Sequence, residues 1–328
     1  MVDLTPSPIR QARAFLLSSP LCNKKMDEKL KIDICKCDVA NKEALALFRS
    51  KFSEWKTLVF ESTASSISKQ IDHLLWNDTV FRTFNETRKI TLQSDTDDFG
   101  FNMPLLDLFD EGFVAIQVMG IRRLTDPKSY NPKKQVVSLT SILIDIKANL
   151  DLFTRENYIC FDGTSFAGDL EKSDRSKYFH WECRQKNFDR LSGVKPENRS
   201  RNDVVSNSII SKHIQNLKVC DSIRTYANKF IAHAADSESI ESLNAEQKFI
   251  TLDKLDECYK SILSSASFIG CILLYQNPID SVPTPQYDQL KNLAKPMISK
   301  ENLNALYEFW HRRVKEIDNW DKDYWPDA

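Results

Sequence analysis

Glycine is scarce in this chain, with 7 among 328 residues. Sheet proteins spend glycine on tight turns and bulges, so the scarcity points to helices. It also removes the usual phosphate cradles. Neither G-x-G-x-x-G nor G-x-x-x-x-G-K-[ST] occurs, which excludes both common nucleotide-binding loops. The G-x-S-x-G elbow and the H-E-x-x-H zinc helix are missing as well, and with them two hydrolase signatures. Excess charge of one sign is absent too. The net charge of −1 excludes a globally basic nucleic-acid binder but leaves room for a local basic patch. No apolar run approaches the roughly 20 residues of a membrane-spanning helix. The longest, Phe268–Tyr275, reads as part of a buried helix.

The first residues, Met1-Val2-Asp3-Leu4-Thr5-Pro6, lack the basic and apolar regions of a secretion signal. The expectation is therefore a cytoplasmic protein whose eight dispersed cysteines are reduced. Cys35-x-Cys37 is the only close pair and has no second pair at metal-ligand spacing, so no metal and no cofactor are expected.

What is present reads as a folded helical chain. Hydrophobic residues at 41% and charged residues at 28% suit a chain with one sizeable core. Residues 1–38 read as an irregular arm with one short helix near Ile9–Leu17. Asn41 is a helix cap, followed by Leu45, Phe48, Phe52, Trp55, Val59 and Phe60 at helical spacing. Helices are expected over Ser65–Leu75 and Asp78–Thr87. A polar break at Asp95–Asp98 separates them from a buried helix spanning Leu105–Leu124. Pro127 and Pro132 bracket a loop. Ser138 caps a helix whose Leu139, Ile142, Leu143, Ile146 and Leu150 share one face. Residues of about 160–200 show the least order by pattern. A long helix is expected from Asn202 to Ala234 and another from Thr251 to Leu273. Pro278, Pro283 and Pro285 end the latter. A last helix opens at Ser299 and ends near Val314–Ile317. Beyond it lies an aromatic-rich tail at Trp320–Trp325.

Five histidines sort the catalytic options. His73, His180, His213 and His311 lack a second metal-type ligand at a recognised spacing and read as surface or packed residues. His233 differs in its neighbourhood. Asn228, Lys229 and His233 are set against Phe230, Ile231 and Ala232, near the end of the long helix. Its plainest reading is a C-terminal helix residue favoured by the macrodipole.

The Asn228–His233 segment also resembles the hallmark of the HEPN superfamily of helical-bundle proteins. There an arginine is followed four to six residues later by histidine, often with a polar residue directly after the arginine. Arg122-Arg123-Leu124-Thr125-Asp126-Pro127, Val137–Leu143 and Thr154-Arg155-Glu156-Asn157 are similar to the features upstream of that segment in the AbiU2-like group. The resemblance covers about residues 40–275. It implies an all-α, HEPN-like bundle over 39–276 with a polar insertion at about 160–200. A helical extension would precede it at 1–38, and a helical tail would succeed it at 277–328. It further implies a metal-independent endoribonuclease of phage-defence or toxin–antitoxin type. RNA, a second copy and an antitoxin or defence-system protein would be its partners, and no membrane would be involved.

In that reading RNA supplies the nucleophile, its own 2′-hydroxyl. His233 moves the proton, Asn228 orients the phosphate or the histidine, and an arginine stabilises the charge developing on the phosphoryl oxygens. The chain departs from the pattern where it matters most. Ala227 stands where the family arginine would, and the nearest upstream arginine is Arg224. At about 100° per residue, the nine residues from Arg224 to His233 place them on opposite sides of a straight helix. Lys229, Arg122 and Arg123 are the other candidate sources of charge.

A second basic stretch, including Arg175, Lys177, Arg184, Lys186, Arg190, Lys195, Arg199 and Arg201, is interleaved with aromatic residues. It reads either as a single-stranded RNA surface or as a polar insertion whose acids, Glu171, Asp174, Glu182 and Asp189, offset the charge. Three functions stay open on the sequence alone: a ribonuclease, a catalytically degenerate RNA- or protein-binding member, and a helical scaffold without a nucleic-acid role.

Overall fold

The computed structural model describes residues 32–61, 65–92, 102–127, 136–168, 175–232, 235–278, 288 and 290–320. The short helix expected near Ile9–Leu17, the polar break at Asp95–Asp98 and His233 lie outside the described residues. Among those described the protein is all-helical. The only β feature is a single antiparallel bridge between Thr154 and Val204. No described helix is long and apolar enough to cross a membrane. The chain divides into two units, Met1–Pro283 and Thr284–Ala328.

In the first unit, α1 (Lys42–Phe60) starts where the Asn41 side chain accepts from the Ala44 N–H, as the sequence predicts. Its stripe Leu45, Phe48, Phe52, Trp55 and Val59 is completely buried. Phe153 stands edge-on to Phe48 and stacks on Trp55, and Phe161 packs on Phe52. The stripe thus holds the segment after α4 against α1. The one polar atom of Trp55 is satisfied, since its indole N–H donates to Asp145 at 2.8 Å.

A single helix, α2 (Ile67–Leu92), replaces the two expected at Ser65–Leu75 and Asp78–Thr87. Asp78 reads in sequence as a helix start, but its carboxylate is used elsewhere. Arg82 Nε donates to it at 2.8 Å, and the buried Tyr259 hydroxyl lies 3.2 Å away. With that side chain engaged, nothing interrupts the helix. Against α2 runs α3 (Met103–Thr125), capped by Asn102. Arg88 grips Asp110 with both guanidinium nitrogens, and the Phe81 and Phe113 rings stack. The helix α4 (Leu139–Ala148) opens with a capping box of Ser138 and Ser141.

Next come α5 (Arg155–Cys160) and α6 (Arg175–Ser192). The low regularity expected across 160–200 is corrected here, because α6 occupies much of that stretch. Its Phe188 and Leu191 enter the core and its Gln185 is buried. The helix expected from Asn202 begins later, as α7 (Asn207–Asn216), with Ser206 as cap. Residues 203–205 are diverted. Val205 N bonds Phe153 O, and the Asp203 carboxylate accepts from Arg155. From Asn207 the helical path is unbroken to Ile231 but changes pitch. It tightens to a 3-10 turn at Leu217–Cys220, continues as α8 (Asp221–Tyr226) and widens to a π turn at Ala227–Ile231.

Two short helices, α9 (Ser237–Glu241) and α10 (Ala245–Lys248), lead to α11 (Leu252–Ser267), which Thr251 caps. A second π turn, Phe268–Leu273, ends it. There the chain doubles back so tightly that a Cβ on Gly270 would sit 2.6 Å from the Gln276 carbonyl, which only glycine tolerates. The second unit holds one helix of length, α12 (Leu303–Ile317), preceded by a 3-10 turn.

One buried guanidinium ties the first unit together. Arg155 is fully buried, donates to Asp203 and Asp189 at 2.8 Å each and to Gln185 Oε1 at 3.0 Å, and lies over the Phe188 ring. Burial alone would raise the Asp189 carboxyl, but hydrogen bonds from Arg199 and Arg155 hold it below the ordinary value. Arg155→Met is expected to cost about 3–5 kcal/mol, because two carboxylates lose their buried partner. A lowered urea midpoint with intact helical dichroism in dilute denaturant checks it. Since the Asp189 value is depressed on folding, its stabilisation is present above the ordinary carboxylate range and is lost as pH falls through the depressed value. The variant is therefore expected to show a shallower acid dependence of stability.

Candidate functional site

Two of the residues singled out in sequence, Arg122 and Arg224, come to the C-terminal end of α3. Helix ends carry carbonyls without intrahelical partners and a partial negative charge. Here those carbonyls are taken in a defined way. Thr140 Oγ1 donates to Thr125 O at 2.9 Å and Ser138 Oγ donates to Asp126 O at 2.5 Å, which docks the start of α4. Arg224 reaches across from α8, with Nη1 at 3.5 Å from Thr125 O. Its other terminal nitrogen pairs with Asp221 at 3.0 Å.

Asp126 sits among these cations. Arg122 Nε lies 3.5 Å from its carboxylate. Burial raises the Asp126 carboxyl above the ordinary value, against the opposing pull of Arg122 and Arg224. Arg122 thus pairs with the carboxylate at the end of its own helix, while Arg224, about a hundred residues on in sequence, reaches the neighbouring Thr125 carbonyl. Arg123, beside Arg122, is exposed.

The π turn carries the rest. Its wide hydrogen bond runs from Ala232 N to Ala227 O at 2.8 Å, and Ala235 N closes the end on Lys229 O at 3.3 Å. Such a turn inserts one residue into the helical register and rotates the phase of the residues beyond it by about 100°.

Ala227 is fully buried, and the turn packs on α3. The position where the resemblance calls for arginine points into the core rather than to solvent. Asn228 is exposed. Lys229 is engaged, its ammonium donating to Ser239 Oγ on α9. Tyr226 and Phe230 pack ring on ring along one side of the turn, 4.7 Å between centroids. Of the predicted site residues, Arg224 and Asn228 lie on this one rod, four positions apart. Arg122 stands at the end of α3, paired with Asp126 one turn on. That last contact has no signature in sequence, since a helix-end aspartate reads as an ordinary boundary residue.

The second basic stretch resolves differently. Arg184 pairs with Asp162 through both terminal nitrogens, at 2.9 and 2.8 Å, between the Phe161 and Tyr275 rings. Arg199 grips Asp189, and Arg201 grips Asp38 and Glu156. Lys186 pairs with Glu182. Three of its arginines are thus consumed by internal carboxylates, of which only Asp189 is among the acids expected to offset the charge, with Glu182 on Lys186. Asp162, Asp38 and Glu156 were not expected, and Glu171 and Asp174 lie outside the described residues. Tyr178 and Phe179 remain exposed, while Phe188 is core.

The remaining candidates are ordinary. His213 is half-buried, stacks on Phe268 and faces the Ser265 hydroxyl, and burial lowers its pKa. Cys35 is exposed, whereas Cys37 is buried, with an Arg49 nitrogen 3.0 Å from its sulfur. The pair therefore does not present two sulfurs to one site. Among the described residues no three His, Cys, Asp or Glu side chains converge as metal ligands.

Ala227→Arg is expected to destabilise by about 2–4 kcal/mol, from overpacking and an unpaired buried charge, rather than restore a family-type site. Thermal melting of the variant checks it. For Asp126, the folded-state value is raised, so its protonated form favours the fold and stability falls as pH rises from the ordinary carboxylate value through the raised one. Asp126→Asn is expected to remove that fall, measured as melting temperature against pH. Comparison with protein-family models, with curated proteins and with solved structures finds no match to this chain.

Proposed function

We propose that this is a HEPN-like helical bundle that acts on RNA as a metal-independent endoribonuclease, of the kind used in phage defence or toxin–antitoxin systems. The observation that supports the reading is that Arg122, paired with Asp126, and Arg224, at the Thr125 carbonyl, both come to the end of α3, on which the turn that carries Asn228 packs. Two guanidinium groups at one helix end suit a phosphate, whose oxygens accept their forked donors. An RNA phosphate replacing Asp126 would meet both cations. His233 then serves as general acid or base, Asn228 orients the phosphate, and Arg122 with Arg224 supplies the charge that Ala227 does not. The protein works in the cytoplasm and as a homodimer in this reading, with an antitoxin or defence-system protein as a further partner.

A second reading is favoured by a specific observation. Ala227 is buried, and Arg224 is already paired with Asp221. A bundle so arranged binds RNA or protein as a catalytically degenerate member and does not cleave.

Cleavage of a mixed RNA pool in EDTA separates the two. The ribonuclease reading expects cleavage by the native protein and its loss in His233→Ala. It also expects a drop of about 100-fold or more in Arg122→Ala, in line with removal of one charge-stabilising donor. Cleavage unchanged in His233→Ala would sink that assignment. RNA retained at low salt by a well-folded protein that does not cleave would establish the binding reading. No retention at low salt would leave the scaffold reading.

A further inference from the structure

Two thiols in the core of the first unit have no task in the RNA reading. Cys220 ends the 3-10 turn that precedes α8, and Cys258 lies midway along α11. Both are completely buried and both are free thiols. The turn packs on α11, and the two side chains meet across that seam in a hydrogen bond. The Cys258 sulfur also lies 4.0 Å from the Val219 carbonyl, in the peptide that leads into Cys220. Cys258 thus approaches both the side chain and the backbone at Cys220, and a bond between two sulfurs needs the backbones that close. Among the described residues no three His, Cys, Asp or Glu side chains converge as metal ligands, so the pair is not a metal centre of the usual kind.

The place of the pair gives it leverage. α8 continues directly from Cys220, and Arg224 stands one helical turn on. Arg224 reaches Thr125 O at 3.5 Å, beyond the usual range of an N–H to O bond. A disulfide holds its sulfurs at about 2.05 Å, closer than two thiols in hydrogen-bond contact. Closing one draws the start of α8 toward α11, and a contact already at its limit is the first to give. The same bond closes a ring of chain that carries Arg224, the π turn and Asn228, which restricts the freedom of that segment.

We propose that Cys220 and Cys258 form a redox-sensitive clamp, which a hydroperoxide closes to a disulfide and a thiol reductant reopens, and whose closure shifts Arg224 at the end of α3.

The hydrogen bond with Cys258 and burial both push the Cys220 thiol well up. Cys220 therefore keeps its proton, and Cys258 is the nucleophile. Its thiolate takes the outer oxygen of the hydroperoxide and the O–O bond breaks, which leaves a sulfenic acid on Cys258 and an alkoxide that takes up the Cys258 proton. The Cys220 sulfur then attacks the Cys258 sulfur. The S–S bond forms, and hydroxide leaves with the Cys220 proton as water. The two thiols lose two electrons, and the peroxide gains them. A small peroxide reaches buried thiols by local opening. The 3-10 turn, with poorer hydrogen bonds than an α-helix, is where opening costs least.

Peptide mapping of the full native chain tests the bond. After hydrogen peroxide and alkylation of the remaining thiols, a linked pair of peptides carrying Cys220 and Cys258 is expected, lighter than the two thiol peptides by the mass of two hydrogens. Dithiothreitol is expected to separate them. Recovery of both as thiols that alkylate only after denaturation, from protein whose exposed Cys35 has been oxidised, would show inert core cysteines and overturn the proposal. So would a bond from either residue to another cysteine. Amide hydrogen exchange reads the shift. The linked protein is expected to exchange differently from the reduced protein across 221–232, a change that dithiothreitol reverses and that Cys258→Ala does not show. Unchanged exchange in linked protein, or the same change in Cys258→Ala, would overturn the coupling to Arg224. Both measurements are made without RNA, so neither depends on whether the protein acts on it.

Discussion

The first unit depends on a buried positive charge. Arg155 has no exposed surface, and its guanidinium holds α6 through Asp189 and Gln185 and the 203–205 segment through Asp203. The next residue, Glu156, accepts from the Ala40 N–H and from Arg201, so the same short helix also anchors the chain leading into α1. Burying a guanidinium is costly unless its donors are met, and an arrangement that meets nearly all of them specifies one geometry among many apolar alternatives. That geometry sets where α7 begins, because Asp203 is held on Arg155 and Ser206 caps immediately after.

The rod that starts there ends at the candidate site. Its pitch changes are small local adjustments, and the π turn at Ala227–Ile231 has the largest consequence. It accompanies a buried Ala227 and an exposed Asn228 on consecutive residues. Arg122 and Arg224 both come to the end of α3, at Asp126 and at the Thr125 carbonyl respectively. Burial raises the Asp126 carboxyl there, against the opposing pull of Arg122 and Arg224.

Much of the helical layout was legible in sequence because its causes are local. Asn41, Ser138 and Thr251 cap their helices with the side-chain bonds that residue type and position imply. The stripe from Leu45 to Val59 is buried as its spacing demands. Where the reading failed, the cause was a distant partner. Asp78 looked like a helix start until Tyr259 and Arg82 engaged it. The polar run across 160–200 looked the least ordered because its pattern does not show which charges pair: Arg184 with Asp162 and Arg199 with Asp189 inside it, and Arg201 just beyond it with the distant Asp38 and Glu156.

The sequence by itself determined an all-helical chain, the starts of α1, α4 and α11, the apolar faces of α1 and α4 and the residues worth inspecting, because propensity, capping and periodicity act within a few turns of backbone. Only the tertiary structure decided that Arg224 reaches the Thr125 carbonyl at the end of α3, that position 227 faces the core, and that three arginines of the basic stretch are spent on internal ion pairs. Those outcomes rest on contacts between residues tens to more than a hundred positions apart, and on a one-residue change of helical phase that no local pattern encodes.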